Sequence, residues 1–207
     1  MDREGDRTRQ GSAVLDFVNA HTHRFGGTGI ELKGVGLHPW HCEQQAVASL
    51  PWDSLYDYVG EIGLDYACTA DRDAQMKAFR EQLAIAEQLG KPVVLHCVRA
   101  FEPCMRVLAE YRLAAVVFHG FMGSVEQMQR AVAAGCYLSF GATTRKSPRK
   151  AEASLKAVPA CRLMLETDDS SATIEEIYAY AATVRGVDIE DLKSDIYQNY
   201  VTLARKN

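Results

Sequence analysis

The sequence predicts an α/β fold built on a parallel sheet covered by helices. Three observations carry that expectation. Short apolar runs alternate with helical stretches along the chain. The runs are apolar almost throughout rather than at every second residue, as strands buried on both faces must be. The polar residues capable of chemistry fall where those runs end.

The chain has 207 residues, which suits one domain. Its opening, "MDREGDRTRQGSA", is charged and lacks the apolar stretch of a signal peptide. Residues 1–12 are therefore expected to be a disordered tail or remnant, and residues 13–207 a single domain. No apolar run reaches the length of about 18 residues that a membrane span needs. Six cysteines are scattered without a CxxC pair. With no export signal they read as reduced thiols, and the expected location is cytoplasmic. A net charge of −4 argues against tight non-specific binding to long nucleic acids. It leaves room for a small phosphorylated substrate or a strand end held by a metal.

The apolar runs follow in order: "AVLDFVNA", "LKGVGLH", "DYVGEIG", "KPVVLHCV", "AAVVFHG", "CYLSFG" and "RLMLETD". Between the third and fourth, "DRDAQMKAFREQLAIAEQLG" places Met76, Phe79, Leu83 and Ala86 on one helical face. That helix should stop at Gly90, with Pro92 just beyond. Between the fifth and sixth, "SVEQMQRAVAAG" starts on a Ser N-cap and stops at Gly135. No repeat, low-complexity segment or interdomain linker interrupts this alternation.

The run ends carry the chemistry. His21 and His23 leave the first run two residues apart, so their side chains point the same way. His38 ends the second run. Glu61 lies within the third, with Asp65 just past it. His96 ends the fourth, His119 the fifth and Asp168 the seventh. Five of the six histidines thus fall at run ends, His41 being the exception. In a parallel barrel those ends share one face, where active sites form. Four or more imidazoles gathered there with at least two carboxylates demand a cation, and the set suits a two-metal site.

These segments resemble the TatD-related metal-dependent hydrolases. The resemblance rests on "NAHTH", "VGLHPW", "VGEIGLDY", "QLAIAEQLGKPVVLHCVRA", "HGFMG" and "LMLETD", in that order, from Asn19 to Asp168. It implies a distorted (β/α) TIM-type barrel and hydrolysis at two divalent metal ions. Carried over by position, His21, His23 and Asp168 would hold one ion, and His96 and His119 the other, with Glu61 bridging. The ions would turn a bound water into hydroxide and polarise a phosphoryl oxygen. Asp168 would serve as general base. Zn, Mn, Fe or Ni suits so many imidazoles, and Mg less so.

Other residues read two ways. His38 is a donor or substrate contact, or a structural histidine held by the Pro39 turn. Asp65 orients a ligand imidazole or caps a turn. Arg99 is a phosphate clamp or a solvent salt bridge. Arg145 and Lys146, in "TRKSPRK", steer an anionic substrate or belong to a solvated loop. Trp40 and Phe121 stack on a base or pack in the core.

Three departures from the family pattern stand out. Asn19 replaces the usual first Asp. Only residues 24–32 separate His23 from Lys33, where relatives place a helix and a strand. A parallel crossover usually takes about a dozen residues or more, so one βα unit is expected to be absent and the barrel incomplete, with about seven parallel strands. After Asp168 the usual Pro and long substrate loop are missing. The expected activity is a metal-dependent phosphodiesterase or nuclease acting 3′ to 5′ on single-stranded DNA ends. The alternatives are hydrolysis of a C–N or ester bond in a small molecule, and a non-catalytic metal-binding relative.

Overall fold

In a computed structural model that describes residues 15–52, 55–146 and 148–204, every apolar run contributes strand. The expected tail at residues 1–12 lies outside the described residues. The strands are β1 (Val18–Asn19), β2 (Ile30–Glu31), β3 (Gly34–Val35), β4 (Tyr58–Asp65), β5 (Val93–Val98), β6 (Val116–Phe118), β7 (Tyr137–Phe140) and β8 (Leu163–Leu165). All pair in parallel. β3 to β8 form one sheet in chain order, and β1 pairs with β2 in a second.

Backbone contacts carry the second sheet onto the first. The Ala20 N–H donates to the Leu165 carbonyl at 2.9 Å, and Thr22 bridges to Asp168. β2 runs into β3 after two residues. The segment from Ile30 to Val35 therefore meets β1 at one end and β4 at the other, and counts as a single course of the barrel. That makes seven courses. The curved sheet lacks a continuous hydrogen-bonded ladder where β2 passes into β3. β1 and β2 pair across the ten residues 20–29, none of them helical, so the missing unit has shrunk to a loop while its strand pairing persists.

The helices cover the outside. α1 (Arg72–Leu89) is capped by Asp71, whose carboxylate accepts from Ala74 N–H, and ends on Gly90 at φ 65°. It buries Phe79, Leu83 and Ala86 against the sheet, while Met76 is only partly buried. α2 (Phe101–Leu108) follows β5. α3 (Val125–Ala133) opens with a capping box between Ser124 and Gln127. α4 (Ala142–Lys146) and α5 (Pro148–Ala157) follow β7. α6 (Ile174–Arg185), capped by Thr173, and α7 (Ile189–Ala204) complete the chain. No described helix is long and apolar enough to cross a membrane.

One irregularity matters for the site. The register of β4 on β5 shifts between Val59 and Ile62, so Gly60 and Glu61 stand out of the ladder. Bulges of this kind re-aim a side chain. Gly63, at φ 143°, lets the two strands close again: a Cβ there would come within 2.0 Å of the His96 carbonyl oxygen. The motif "GEIG" thus brings a carboxylate into the barrel mouth and then restores the sheet.

Candidate metal centre

Glu61 is the hub. Its Oε2 lies 3.2 Å from His21 Nε2 and 3.4 Å from His23 Nε2. Its Oε1 lies 2.6 Å from both His96 Nδ1 and His119 Nε2, and 3.2 Å from His38 Nε2. The two oxygens of one carboxylate therefore divide five imidazoles into two sets. Asp168 joins the first, with Oδ1 3.7 Å from His21 Nε2 and 3.6 Å from His23 Nε2. Burial alone would raise the Glu61 pKa, but its imidazole partners, His119 foremost, pull it far below the usual carboxylate range.

Paired backbone and side-chain contacts bring His21, His23 and Asp168 together. Asn19 accepts from the Thr167 N–H at 3.0 Å and donates through Nδ2 to Thr167 Oγ1 at 2.8 Å. Just beyond, Asp168 N–H donates to the His21 carbonyl and His23 N–H to the Asp168 carbonyl. Asp168 adopts the left-handed region, φ 53°. The chain turns there, where β8 has ended and its carboxylate faces the two histidines.

Three of the imidazoles have an outer partner on the nitrogen that faces away from the hub. His21 Nδ1 meets the Tyr58 hydroxyl at 2.8 Å. His96 Nε2 lies 3.2 Å from Asp65 Oδ2. His119 Nδ1 lies 3.4 Å from Glu166 Oε1 without forming a hydrogen bond in this geometry, and that carboxylate accepts from Gly120 N–H at 2.6 Å. Such partners fix the tautomer and the ring orientation of metal-ligating histidines. With the proton on the outer nitrogen, the inner nitrogen of each ring would offer its lone pair to an ion held beside Glu61. The Nε2 of His21 is buried and makes no hydrogen bond, as a ligand atom awaiting a cation would. Burial pushes the Tyr58 hydroxyl pKa up, and the Glu166 and Glu61 carboxylates add to it, so it stays a neutral phenol. The donor set fits divalent ions: two groups, His21–His23–Glu61–Asp168 and His38–Glu61–His96, each have ligand atoms within 4.8 Å of one another.

His38 differs from the other four. Its Nδ1 accepts from the Trp40 N–H at 3.2 Å, capping the short 3₁₀ turn Pro39–His41. A neutral imidazole that accepts at Nδ1 carries its proton on Nε2, which here faces Glu61. His38 thus caps the Pro39 turn and reaches the cluster as a donor. Asp65 caps a turn, its Oδ1 accepting from Ala67 and Cys68 N–H, while its Oδ2 lies 3.2 Å from His96 Nε2.

The remaining residues separate. Arg99, at φ 52°, is exposed and has no hydrogen bond or ion pair among the described residues. It lines a neighbouring cleft of about 560 Å³ that shares His119 with the cluster. Arg145 lies in α4, 5.7 Å from the ring centroid of Tyr180, and does not line the cluster's cleft. The Lys146 side chain lies outside the described residues. Phe121 is core, at 5% exposure, whereas Trp40 is open to solvent at 53%. Sequence reasoning missed Glu166 and Tyr58. The first had a signal: Glu166 and Asp168 repeat the i, i+2 spacing of His21 and His23.

A family model described as "TatD related DNase" matches residues 31–205, beginning after the two leading histidines. An uncharacterized metal-dependent hydrolase, YabD, from Bacillus subtilis is 33% identical over 144 residues, covering 65% of this chain and 56% of its own. A 3′-5′ ssDNA/RNA exonuclease TatD from Edwardsiella piscicida is 38% identical over 115 residues, covering 53% of this chain and 44% of its own. The chain spans about half the length of these two relatives. Among solved structures, the TatD homolog YjjV from Escherichia coli superposes with a TM-score of 0.72 at 25% identity, over 82% of this chain and 75% of that one.

Proposed function

The chain belongs to the TatD-related DNase family, and on that premise we propose that it is a divalent-metal-dependent hydrolase that cuts phosphodiester bonds at single-stranded nucleic-acid ends, from 3′ to 5′. The observation that carries this reading is the division of the imidazoles by Glu61. His21, His23 and Asp168 would hold one ion, His96 and His119 the other, and one Glu61 oxygen would reach each. Bound there, the ions supply a water acidic enough to ionise near neutral pH and polarise the phosphoryl oxygen.

The chain's own residues do the rest. Asp168, a third exposed at its side chain, would take the proton from the attacking water. Tyr58, Asp65 and Glu166 hold His21, His96 and His119 with their lone pairs inward. His38 donates to Glu61 Oε1 and keeps that oxygen from turning away. Arg99 sits beside the cluster, free to clamp a phosphate.

A second reading, hydrolysis of a C–N or ester bond in a small molecule, draws on one observation. Among the described residues no Lys or Arg lines the roughly 810 Å³ cleft that holds the cluster. The deciding experiment is cleavage of a 3′-labelled single-stranded oligonucleotide by metal-stripped protein titrated with Mn²⁺, Mg²⁺ and Zn²⁺. Metal-dependent loss of 3′ nucleotides, abolished by His21→Ala and by Asp168→Asn, is the expected result. Absence of cleavage from protein that still binds metal would reject the nuclease and favour the small-molecule hydrolase.

A further inference from the structure

Six large hydrophobic side chains are exposed among the described residues. Two of them are aromatic, Phe25 and Trp40, and both line the cleft that holds the imidazole cluster. Trp40 is also pinned. Its indole Nε1–H donates to Asp65 Oδ2 at 2.7 Å, and that same oxygen lies 3.2 Å from His96 Nε2. The indole lies perpendicular to the His38 ring with centroids 4.7 Å apart, and His38 in turn reaches Glu61 Oε1 at 3.2 Å. One imidazole ring therefore separates the indole from the carboxylate at the hub.

The charges around the cleft deepen the point. A single-stranded polynucleotide is usually held along a basic groove, with bases stacked on aromatic rings. Among the described residues neither Lys nor Arg lines this cleft, although the Lys33 ammonium lies 5.9 Å from the Phe25 ring centroid, while the aromatic rings are present. An aromatic ring already held by a hydrogen bond loses little freedom when a ligand lies on it. Asp65 needs only the indole edge, so the exposed surface of the ring is left for a ligand.

We infer that Trp40 is the platform on which one nucleobase of the substrate stacks, so that the site grips a short single-stranded end by stacking rather than by a track of cations. Phe25, carried on the loop that replaces the missing βα unit, supplies a second aromatic wall of the same cleft. The inference rests on the nucleic-acid reading of the site. It names the substrate as one or two nucleotides at a free end, with little gained from a longer strand.

The test pairs binding with kinetics in the metal-loaded protein. A cleavage-resistant phosphorothioate dinucleotide should quench tryptophan fluorescence saturably. An abasic analogue should not, and Trp40→Phe should remove most of the signal. In cleavage, Trp40→Ala should raise KM about 5- to 150-fold, the range for loss of one stacked base, with kcat changed by less than about twofold. Trp40→Phe should recover most of the KM. The slope of log KM against log salt should stay below about 2, because few phosphates are neutralised.

A Trp40→Ala variant that loses kcat or metal affinity at unchanged KM would overturn the inference and make Trp40 a prop for Asp65 and His96. A steep salt slope, or a KM that keeps falling with strand length, would overturn it too. Saturable quenching without any cleavage would keep the platform and reject the nuclease. Cleavage with no quenching and a Trp40-independent KM would do the reverse.

Discussion

The two sides of the barrel mouth are built differently. From β4 to β8 the site residues ride on a continuous parallel sheet whose outer face is covered by helices, so Glu61, His96 and His119 inherit their positions from the core. From β1 to β3 the strands are two residues each, and the connection between β1 and β2 is a loop that leaves Phe25 in solvent. His21 and His23 owe their place to Asn19, Thr167 and the backbone of Asp168. One half is positioned by burial, the other by hydrogen bonds. A metal site can be completed from a thin wall when specific polar contacts replace the missing packing.

If that contrast is right, perturbations on the two sides should cost differently. Phe79→Ala, in α1 and fully buried, should destabilise the fold by about 3–5 kcal/mol, read by denaturant unfolding. Glu166→Gln keeps a carbonyl to accept from Gly120 N–H but replaces the carboxylate behind His119. It should weaken metal binding about 10–100-fold with little change in stability, the range for loss of an outer partner, read by metal titration.

Proton competition has a sign. Burial alone would lower the His119 pKa, but Glu166 and Glu61 hold it well above the ordinary imidazole value; Glu61 likewise raises His23. Protons therefore compete with metal up to a pH above 6.5. Apparent metal affinity should climb by about tenfold per pH unit for each proton displaced. A flat profile between pH 6 and 8 would show that these imidazoles are not ligands.

On the thin side the expected costs are smaller. Asn19→Ala leaves the buried Thr167 N–H without its partner and should cost about 1–3 kcal/mol, with weaker metal binding because His21 and Asp168 drift apart. Phe25→Ala should change stability by no more than about 0.5 kcal/mol, as surface substitutions usually do. A large loss of stability from Phe25→Ala would erase the contrast between the two sides.

Much of this was legible in the chain itself. The near-continuous apolar runs mark every strand but β2, because a strand covered on both faces has no polar side to show. Gly90, Ser124 and Gly135 mark ends of the two helices read from sequence, because caps are local chemistry. The histidines at run ends announce a site, since parallel strands deliver their ends to one face. The pairing of β1 with β2 across a ten-residue loop was not legible, because spacing rules assume a helix in the crossover. Tyr58 was hidden too, since a tyrosine in an apolar run reads as packing. Arg145 stood near the rim in sequence but lies in α4 by Tyr180, and charge runs carry no directional information. The double use of His38, turn cap and donor to Glu61, shows only in three dimensions.

The most direct test of the centre is the number of divalent ions bound per chain, measured by equilibrium dialysis with Mn²⁺ and with Zn²⁺ for the natural protein and for Glu61→Gln. Two ions per chain, falling to one or none when Glu61 loses its charge, is the result predicted by a carboxylate that serves both imidazole sets. A single ion in the natural protein, or two ions that persist in Glu61→Gln, would contradict it.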